Sequence, residues 1–427
     1  MPWDVRGLIE GFYGRPWSWD ERCAVARFVA DRGMTHYVYA PKDDPRHRER
    51  WRDPYPPEEL AGFTRLIHEG GLQVGFAVSP GLSIDASDDG DRRALAAKVA
   101  PLLDLGVRLV VLALDDLEPR PGLGGEHAGL ACWLHEWLDG RARLALVPTE
   151  YTGTSAPTPY LDALADLPED VVVGWTGPSV VNDALTADDA RRRREALRGR
   201  RPLLWDNWPV NDAVMADRLF LGPLRGRDPA LAEHCAGYLA NPMVQPRASM
   251  LPLASTAAFL RGEDPAAAWD AEAGPLRVLA EACDGEVPRR LVAEVAAGAS
   301  TAALAEWLAS AASCDAPGLG DEADPWVEQV HAEARVAASA VAVLDALAAA
   351  DLAAARVHAL PLAFAWPALR RSAVSVLGPR CSARPVLGQD AEGRWVLGRG
   401  AVEDDRNATD HLVRLALARL AQADDGG

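Results

Sequence analysis

Two adjacent aspartates, Asp115 and Asp116, follow the apolar run Arg108–Leu114. Carboxylates at the end of a buried strand are costly unless they are paired, and two neighbouring negative charges repel each other. Such a pair therefore often marks a site of chemistry. The alternative is that Asp116 only caps the helix that follows, because aspartate is also a common cap and turn residue.

Seven other short apolar runs also end at polar or aromatic residues. The eight predicted strands are Val5–Ile9, His36–Tyr39, Gln73–Val78, Arg108–Leu114, Arg143–Val147, Val171–Trp175, Pro202–Trp205 and Ala236–Leu239. Helical patterns lie between them, and two begin with the capping-box residues Ser18/Glu21 and Thr186/Asp189. This alternation predicts an α/β fold, a TIM (β/α)8 barrel over residues 1–262.

The C-terminal ends of barrel strands form the active site of this fold. We expect the polar and aromatic groups at the predicted strand ends, from Glu10 to Asn241, to converge on one mouth. These acids, amides and aromatic side chains suit a neutral sugar with its hydroxyls and its apolar ring face. A phosphate site is disfavoured, because strands 7 and 8 end at Asp206-Asn207 and Asn241 and not at glycine-rich loops.

The order of these motifs resembles glycoside hydrolase family 84, the O-GlcNAcase and β-N-acetylglucosaminidase enzymes. The similar stretches are Gly7–Trp17, Tyr39–Asp44 with Arg48 and Trp51, Ser79–Gly81, Asp115–Asp116, Pro148–Tyr151, Trp175–Pro178, Trp205–Asn207 with Asn211–Asp212, and Asn241–Pro242. They are colinear over the whole predicted barrel. The resemblance implies a retaining exo-β-N-acetylglucosaminidase that needs no cofactor or metal.

The two aspartates do not fit the common glycosidase arrangements. Those place two carboxyl groups on opposite sides of the anomeric carbon, about 5–5.5 Å apart for retention and about 6.5–9.5 Å for inversion. Because Asp115 and Asp116 approach from one strand end, we expect the substrate to supply the nucleophile. Its 2-acetamido oxygen would attack the anomeric carbon and form an oxazoline, while one carboxylate holds the N–H and another acid protonates the leaving oxygen.

The resemblance assigns separate roles to individual positions. Asp115 would orient the acetamido N–H, Asp116 would act as general acid and then base, and Tyr151 would support the oxazoline oxygen. Substrate-binding roles carry over to Gly11 through its carbonyl, to Lys42 near the 3-OH, to Trp205 as the wall of the acetamide methyl pocket, to Asn207, Asp212 and Asn241 for the remaining hydroxyls and the acetamido group, and to Tyr13 and Thr176 lining the mouth.

Lysine usage gives Lys42 a separate argument. The chain contains only two lysines, Lys42 and Lys98, although arginine is abundant. A lysine at a strand end indicates that a compact ammonium is needed where a guanidinium fork would be too bulky. We expect Lys98 to lie on the surface of a helix and to have no such role.

Composition limits the partners and the environment. A net charge of −18 disfavours nucleic acid and anionic membranes, and we expect no apolar stretch of about 20 residues able to span a bilayer. A first strand that starts at Val5 leaves no room for a signal peptide, so a cytoplasmic location is expected. The six cysteines lack metal-ligand spacing, the Arg191–Arg194 run is expected to be a solvated helix face, and Asn407-Ala408-Thr409 matches a glycosylation sequon.

Beyond the barrel, alanine-rich amphipathic patterns predict an α-helical bundle over residues 263–360, followed by a segment of uncertain structure over 361–427. Two other functions stay open. An endo-acting hyaluronidase-type hexosaminidase would use the same barrel with an open groove. A non-catalytic GlcNAc-binding module would be expected to have lost Asp115, Asp116 or Tyr151. The sequence does not indicate the aglycone (protein Ser or Thr, glycan or cell-wall fragment) or the oligomeric state.

Overall fold

Eight parallel strands close into a barrel in chain order in the computed structural model, as predicted. The model describes residues 3–154, 157–369, 371–378, 384–389, 395–400 and 407–425. The barrel strands are β1 Val5–Glu10, β2 His36–Tyr39, β3 Gln73–Val78, β4 Leu109–Ala113, β5 Arg143–Val147, β6 Val172–Trp175, β7 Leu203–Pro209 and β8 Gly237–Asn241. β8 pairs with β1 and closes the sheet.

Helices follow the strands and surround the barrel. They are α1 Trp19–Ala30, α2 Pro57–Glu69, α3 Asp89–Leu105, α4 Leu123–Leu138, α5 Pro159–Ala163, α6 Ala187–Ala196, α7 Leu231–His234 and α8 Pro246–Arg261. Both predicted capping boxes form, at Ser18 before α1 and at Thr186 before α6. In each, the side chains satisfy backbone N–H groups that the first helical turn leaves without partners.

Each strand buries both of its faces, with alternate residues pointing to opposite sides. In β4, Leu109, Val111 and Ala113 belong to the core inside the barrel, whereas Val110 and Leu112 pack against the surrounding helices. This explains why the strands are continuous apolar runs. The alternation also separates an inward set of positions from an outward set. Beyond the end of a strand, residues that continue the inward set enter the site.

The chain divides into two compact units. The first comprises residues 1–215 and 223–272, and the second comprises 216–222 and 273–427. The first unit therefore extends beyond 262 and includes α9 Pro265–Ala273 except for its last residue. The second contains α10 Arg277–Asp284, α11 Glu286–Ala296, α12 Ala302–Ala311, α13 Asp324–Ala348, α14 Leu352–Leu369, the hairpin of β9 Arg384–Gln389 and β10 Trp395–Gly400, and α15 Ala408–Asp425.

One helix departs from the expectation that the chain has no apolar stretch able to span a bilayer. By length and composition alone, α14 is long and apolar enough to cross a membrane, and most of the helix is exposed. The sequence expectation is therefore wrong by these two criteria. The helix packs against α13 and α15 within its unit, and one such helix is weak evidence for a membrane span.

The glycosylation sequon has a structural role in the folded chain. Asn407 is fully buried, and its Nδ2 donates to the carbonyls of Val376 and Gly378. Its Oδ1 accepts the backbone N–H of Asp410 at 3.0 Å, in the first turn of α15. The Asn407 amide is thus occupied as a helix cap.

Candidate active site

All eleven residues selected from the sequence line one cavity of about 190 Å³ at the C-terminal ends of the strands. They are Gly11, Tyr13, Lys42, Asp115, Asp116, Tyr151, Thr176, Trp205, Asn207, Asp212 and Asn241. The C-terminal end of the barrel is where side chains of this fold converge on a ligand. The same cavity is also lined by Val147, Val180, Val181, Val210, Ala213 and Met215, which the sequence analysis did not select.

Asp115 is buried and directly paired with Lys42, whose Nζ donates to Oδ2. Its other oxygen, Oδ1, is also buried and has no hydrogen-bond partner in the described part of the chain. Burial alone would raise the pKa of Asp115, but the Lys42 ammonium outweighs it, with a smaller contribution from Arg48, so the pKa is lowered. The site therefore holds a carboxylate with one acceptor oxygen left for an incoming N–H.

Asp116 occupies a different environment from its neighbour. Its side chain is 34% exposed, against 8% for Asp115, and its backbone has a φ of 53°, which aspartate tolerates better than most residues. It caps no helix, because α4 begins only at Leu123, after Gly122. The capping alternative is therefore wrong.

Two tyrosine hydroxyls hold the Asp116 carboxylate. Tyr13 donates to Oδ2 at 3.1 Å and Tyr151 donates to Oδ1 at 3.0 Å. Burial and the negative charge of Asp116 raise the pKa of Tyr13 to about 12, and they raise that of Tyr151 further. Both phenols therefore stay protonated at ordinary pH and act as donors.

The opposite wall is built from Gly11, Trp205 and two asparagines. Asn207 Oδ1 accepts from Trp205 Nε1 at 3.0 Å and from Asn241 Nδ2 at 2.9 Å, and Asn241 Oδ1 accepts from the Gly11 N–H at 3.1 Å. A Cβ at Gly11 would lie 2.2 Å from the Trp205 ring, so only glycine fits there. Each asparagine amide can still donate its second N–H to a ligand.

Asp212 and Thr176 complete the rim. Asp212 Oδ2 accepts the backbone N–H of Tyr13 at 2.7 Å, and burial raises its pKa. Thr176 Oγ1 donates to the Ser179 carbonyl at 3.2 Å and so holds the loop that follows β6. That loop places Val180 and Val181, both nearly half exposed, on the cavity wall. Two adjacent valines in a loop were the signal that the sequence analysis missed.

Not every polar group at a strand end faces this cavity. Glu10 is fully buried and bonds Arg22 and Tyr37 on the outside of the barrel. Asp206 is likewise buried against Arg227, at 2.8 Å, and Tyr238. The expectation that all the strand-end groups converge on one mouth is therefore wrong for these two acids, because both continue the outward set of positions.

Lys98 is not a surface residue, contrary to expectation. It is 4% exposed, its Nζ donates to the Asp53 carbonyl at 2.7 Å and lies 3.7 Å from the centroid of the Tyr55 ring. Burial lowers its pKa to about 8. Both lysines of the chain thus occupy specific buried positions, which strengthens the argument from lysine usage for Lys42.

The Arg191–Arg194 run is not a uniformly solvated face either. Arg191 and Arg192 are exposed and pair with Asp188, but Arg193 is only 1% exposed. Its guanidinium donates to the carbonyls of Glu150, at 2.6 Å, and Thr152, at 3.3 Å. It therefore clamps the backbone on both sides of Tyr151, a positioning role that a run of arginines does not reveal.

Five of the cysteines and two of the histidines have ordinary structural surroundings. Cys23, Cys132, Cys235, Cys283 and Cys314 are free thiols, and Cys381 lies outside the described residues. His127 contacts the Tyr160 hydroxyl and His135 contacts Asp170. Within the described residues, no group of three or more His, Cys, Asp or Glu side chains is arranged to hold a metal ion.

Comparison with known proteins identifies the family of the chain. Residues 6–286 match the family model described as beta-N-acetylglucosaminidase. The Protein O-GlcNAcase of Rattus norvegicus and that of Mus musculus are each 32% identical over 254 residues, which cover 55% of this chain. Those residues are 28% of either relative, so the chain spans less than a third of their length.

Solved structures match over a larger part of the chain. A mutant of the Thermobaculum terrenum O-GlcNAc hydrolase superposes with a TM-score of 0.82 and 25% identity, covering 100% of this chain and 97% of that one. The structure named CpGH84B gives a TM-score of 0.77 and 25% identity, covering 88% of this chain and 75% of that one. With the family match over most of the barrel, these likenesses show that the chain belongs to the β-N-acetylglucosaminidase family, glycoside hydrolase family 84.

Proposed function

We propose that the protein is a retaining exo-β-N-acetylglucosaminidase that removes terminal β-linked GlcNAc by substrate-assisted catalysis. The observation that carries the proposal is the asymmetry of the two aspartates. Asp115 is buried and ionised, with Oδ1 unpartnered among the described residues, whereas Asp116 is more exposed and accepts hydrogen bonds from two tyrosine hydroxyls. The first suits an acetamido N–H, and the second suits proton exchange with a leaving oxygen and with water.

The proposed reaction has two steps. The acetamido oxygen attacks the anomeric carbon, the glycosidic bond breaks, and Asp116 gives its proton to the departing oxygen. The acetamido N–H loses electron density as the oxazoline forms, and Asp115 holds it by a hydrogen bond. Lys42 keeps Asp115 anionic. Water then attacks the same carbon, its proton passes to Asp116, and the acetamide is restored with overall retention.

Tyr151 must change partner for this reaction to proceed. Its hydroxyl donates to Asp116 Oδ1 in the structure. Supporting the oxazoline oxygen requires the same hydroxyl to turn to the substrate, and that movement would free Oδ1 to carry the catalytic proton.

Exo action, in which one terminal sugar with its acetamido group enters the site, is the form that we propose for the single cavity lined by the eleven residues. The mammalian relatives are named Protein O-GlcNAcase, so a GlcNAc-modified serine or threonine peptide is the first natural substrate class to test.

The experiment measures the turnover of a series of aryl β-GlcNAc glycosides in which the N-acetyl group carries none, one, two or three fluorines. Fluorine makes the acetamido oxygen a poorer nucleophile, so the turnover should fall steadily along the series. A flat series would contradict participation of the acetamide. Product sizes from a polymeric GlcNAc substrate provide the second arm: monosaccharide release is expected, and internal cleavage would instead support the endo-acting alternative.

A further inference from the structure

Arg48 makes contacts that none of the roles assigned so far explains. It follows β2, its side chain is only 13% exposed, and it does not line the sugar cavity. Its Nη1 donates to the Tyr13 hydroxyl at 3.1 Å and lies 3.6 Å from Oδ2 of Asp116. Because Tyr13 in turn donates to the same Oδ2, the three groups form a directed chain from guanidinium to phenol to carboxylate.

The two oxygens of Asp116 therefore have different surroundings. Oδ2 faces the Arg48 guanidinium, the Tyr13 hydroxyl and, at 4.0 Å, the Lys42 ammonium. Oδ1 accepts one hydrogen bond, from Tyr151. Asp115 is the other charged group beside Asp116, and its charge is already balanced by Lys42. Negative charge is consequently favoured at Oδ2, and the proton is left to Oδ1.

We propose that Arg48 is a positioning residue that acts on Asp116 directly and through Tyr13, holding Oδ2 as the anionic oxygen so that Oδ1 exchanges the proton. The inference rests on the proposed function of the site. Its effect falls mainly on the second step, in which Asp116 must be a carboxylate to accept a proton from water. In the first step the same cation opposes protonation and so gives no advantage.

The test compares Arg48→Gln with Arg48→Lys and with a matched control. Arg52 lies on the same segment, but its guanidinium forks onto Asp91 at 2.6 and 2.7 Å, so Arg52→Gln removes an arginine without touching the site. The measurements are pH profiles of kcat and kcat/KM on an activated aryl β-GlcNAc glycoside. Thermal unfolding is followed in parallel to register any loss of folding.

Arg48→Gln is expected to lower kcat about 10-fold, the loss typical of a charged hydrogen bond, with a smaller change in kcat/KM at acidic pH. The pH profile of kcat should change shape as well, because the cation that lies 3.6 Å from Oδ2 of Asp116 is removed. Arg48→Lys should restore part of both effects, and Arg52→Gln should behave as wild type.

If Arg48 had only a structural role, Arg48→Gln would lower kcat/KM by the same factor at every pH, and that result would overturn the inference. An Arg48→Lys variant no more active than Arg48→Gln would also overturn it. Tyr13→Phe provides a second route if Arg48→Gln does not fold. It should cause a smaller loss, and the Tyr13→Phe/Arg48→Gln double variant should lose less than the product of the single losses. Full additivity would contradict the chain of contacts. Absent turnover by the wild type would refute the proposed function itself, so the two failures are distinguishable.

Discussion

Arg200 at the N-terminal end of the barrel bonds to a different kind of group from Lys42 and Arg48 at the C-terminal end. At the N-terminal end, Arg200 donates to the carbonyls of Leu167, Pro168 and Val171, each at 2.8 Å, and so ties down the chain that enters β6. At the C-terminal end, Lys42 and Arg48 are directed at carboxylates. A cation bonded to carbonyls holds the fold, whereas a cation beside a carboxylate controls where negative charge can form.

Cavity size alone would have pointed to the wrong end. The N-terminal end carries a cavity of about 570 Å³, larger than the 190 Å³ of the candidate site. Its wall includes Arg194 and Arg200, whose guanidiniums donate to backbone carbonyls, and Arg198, which pairs with Asp162. The smaller cavity is the one where two neighbouring carboxylates are paired with an ammonium and with tyrosine hydroxyls. This difference leads to separate predictions for the two ends.

The largest effect is expected from Asp116→Asn at the C-terminal end. Loss of the general acid should slow glycosides with poor leaving groups by about 10²–10⁴-fold, whereas activated aryl glycosides need little protonation and should lose far less in the first step. The measurement is kcat/KM across a series of leaving groups. An equal loss on every member of the series would refute the general-acid assignment.

Lys42→Met should change the pH dependence as well as the rate. The pKa of Asp115 is lowered by Lys42, so the stabilisation from this pair is present above the ordinary aspartate pKa of about 3.9 and is lost as pH falls through the folded value. Without the ammonium, burial dominates and Asp115 takes up its proton at higher pH. The acidic limb of kcat/KM should move up, and an unmoved limb would contradict the pairing.

Arg193→Gln tests the clamp on the backbone around Tyr151. We expect a loss of about 1–3 kcal/mol in the free energy of unfolding, because the carbonyls of Glu150 and Thr152 lose a charged donor, together with a lower kcat. The matched control is Arg192→Gln on the exposed side of the same helix, expected within about 0.5 kcal/mol of wild type. Equal unfolding free energies and equal kcat values for the two variants would contradict the positioning role of Arg193.

Arg200→Gln should have the smallest effect on activity. It removes hydrogen bonds to backbone carbonyls at the opposite end, so the melting temperature should fall while kcat and KM at 25 °C stay at wild-type values. Arg198→Gln, which removes an exposed ion pair, should change the melting temperature, kcat and KM very little. A kcat loss in Arg200→Gln without unfolding would break the proposed division between the two ends.

The barrel was predictable from the sequence because apolar continuity and alternation encode its strands, whereas the individual site residues came from the family resemblance. The inward set of β4, Leu109, Val111 and Ala113, continues to Asp115, and that of β7 continues through Trp205 to Asn207. The same count excludes Glu10 and Asp206, which lie on the outward set. Alternation would therefore have corrected the expectation that all strand-end acids converge on the cavity.

Other features depend on contacts that no local pattern records. Lys98 was expected at a surface, yet it is buried beneath Asp53 and Tyr55, far from it in the sequence. Arg193 looked like its exposed neighbours and differs only in which side of α6 it occupies. Asp116 reaches the cavity because its backbone turns to a positive φ, a conformation that the alternation of the strand does not encode.

The most direct test of the account is nitrophenol release from the β-GlcNAc glycoside and from the β-glucoside, which lacks the acetamide, by wild type and Asp115→Ala. We expect GlcNAc-specific turnover that falls about 10²–10³-fold in the variant, as when a group that stabilises transition-state charge is removed. Comparable turnover of the two glycosides by wild type, or an Asp115→Ala variant as active as wild type, would contradict it.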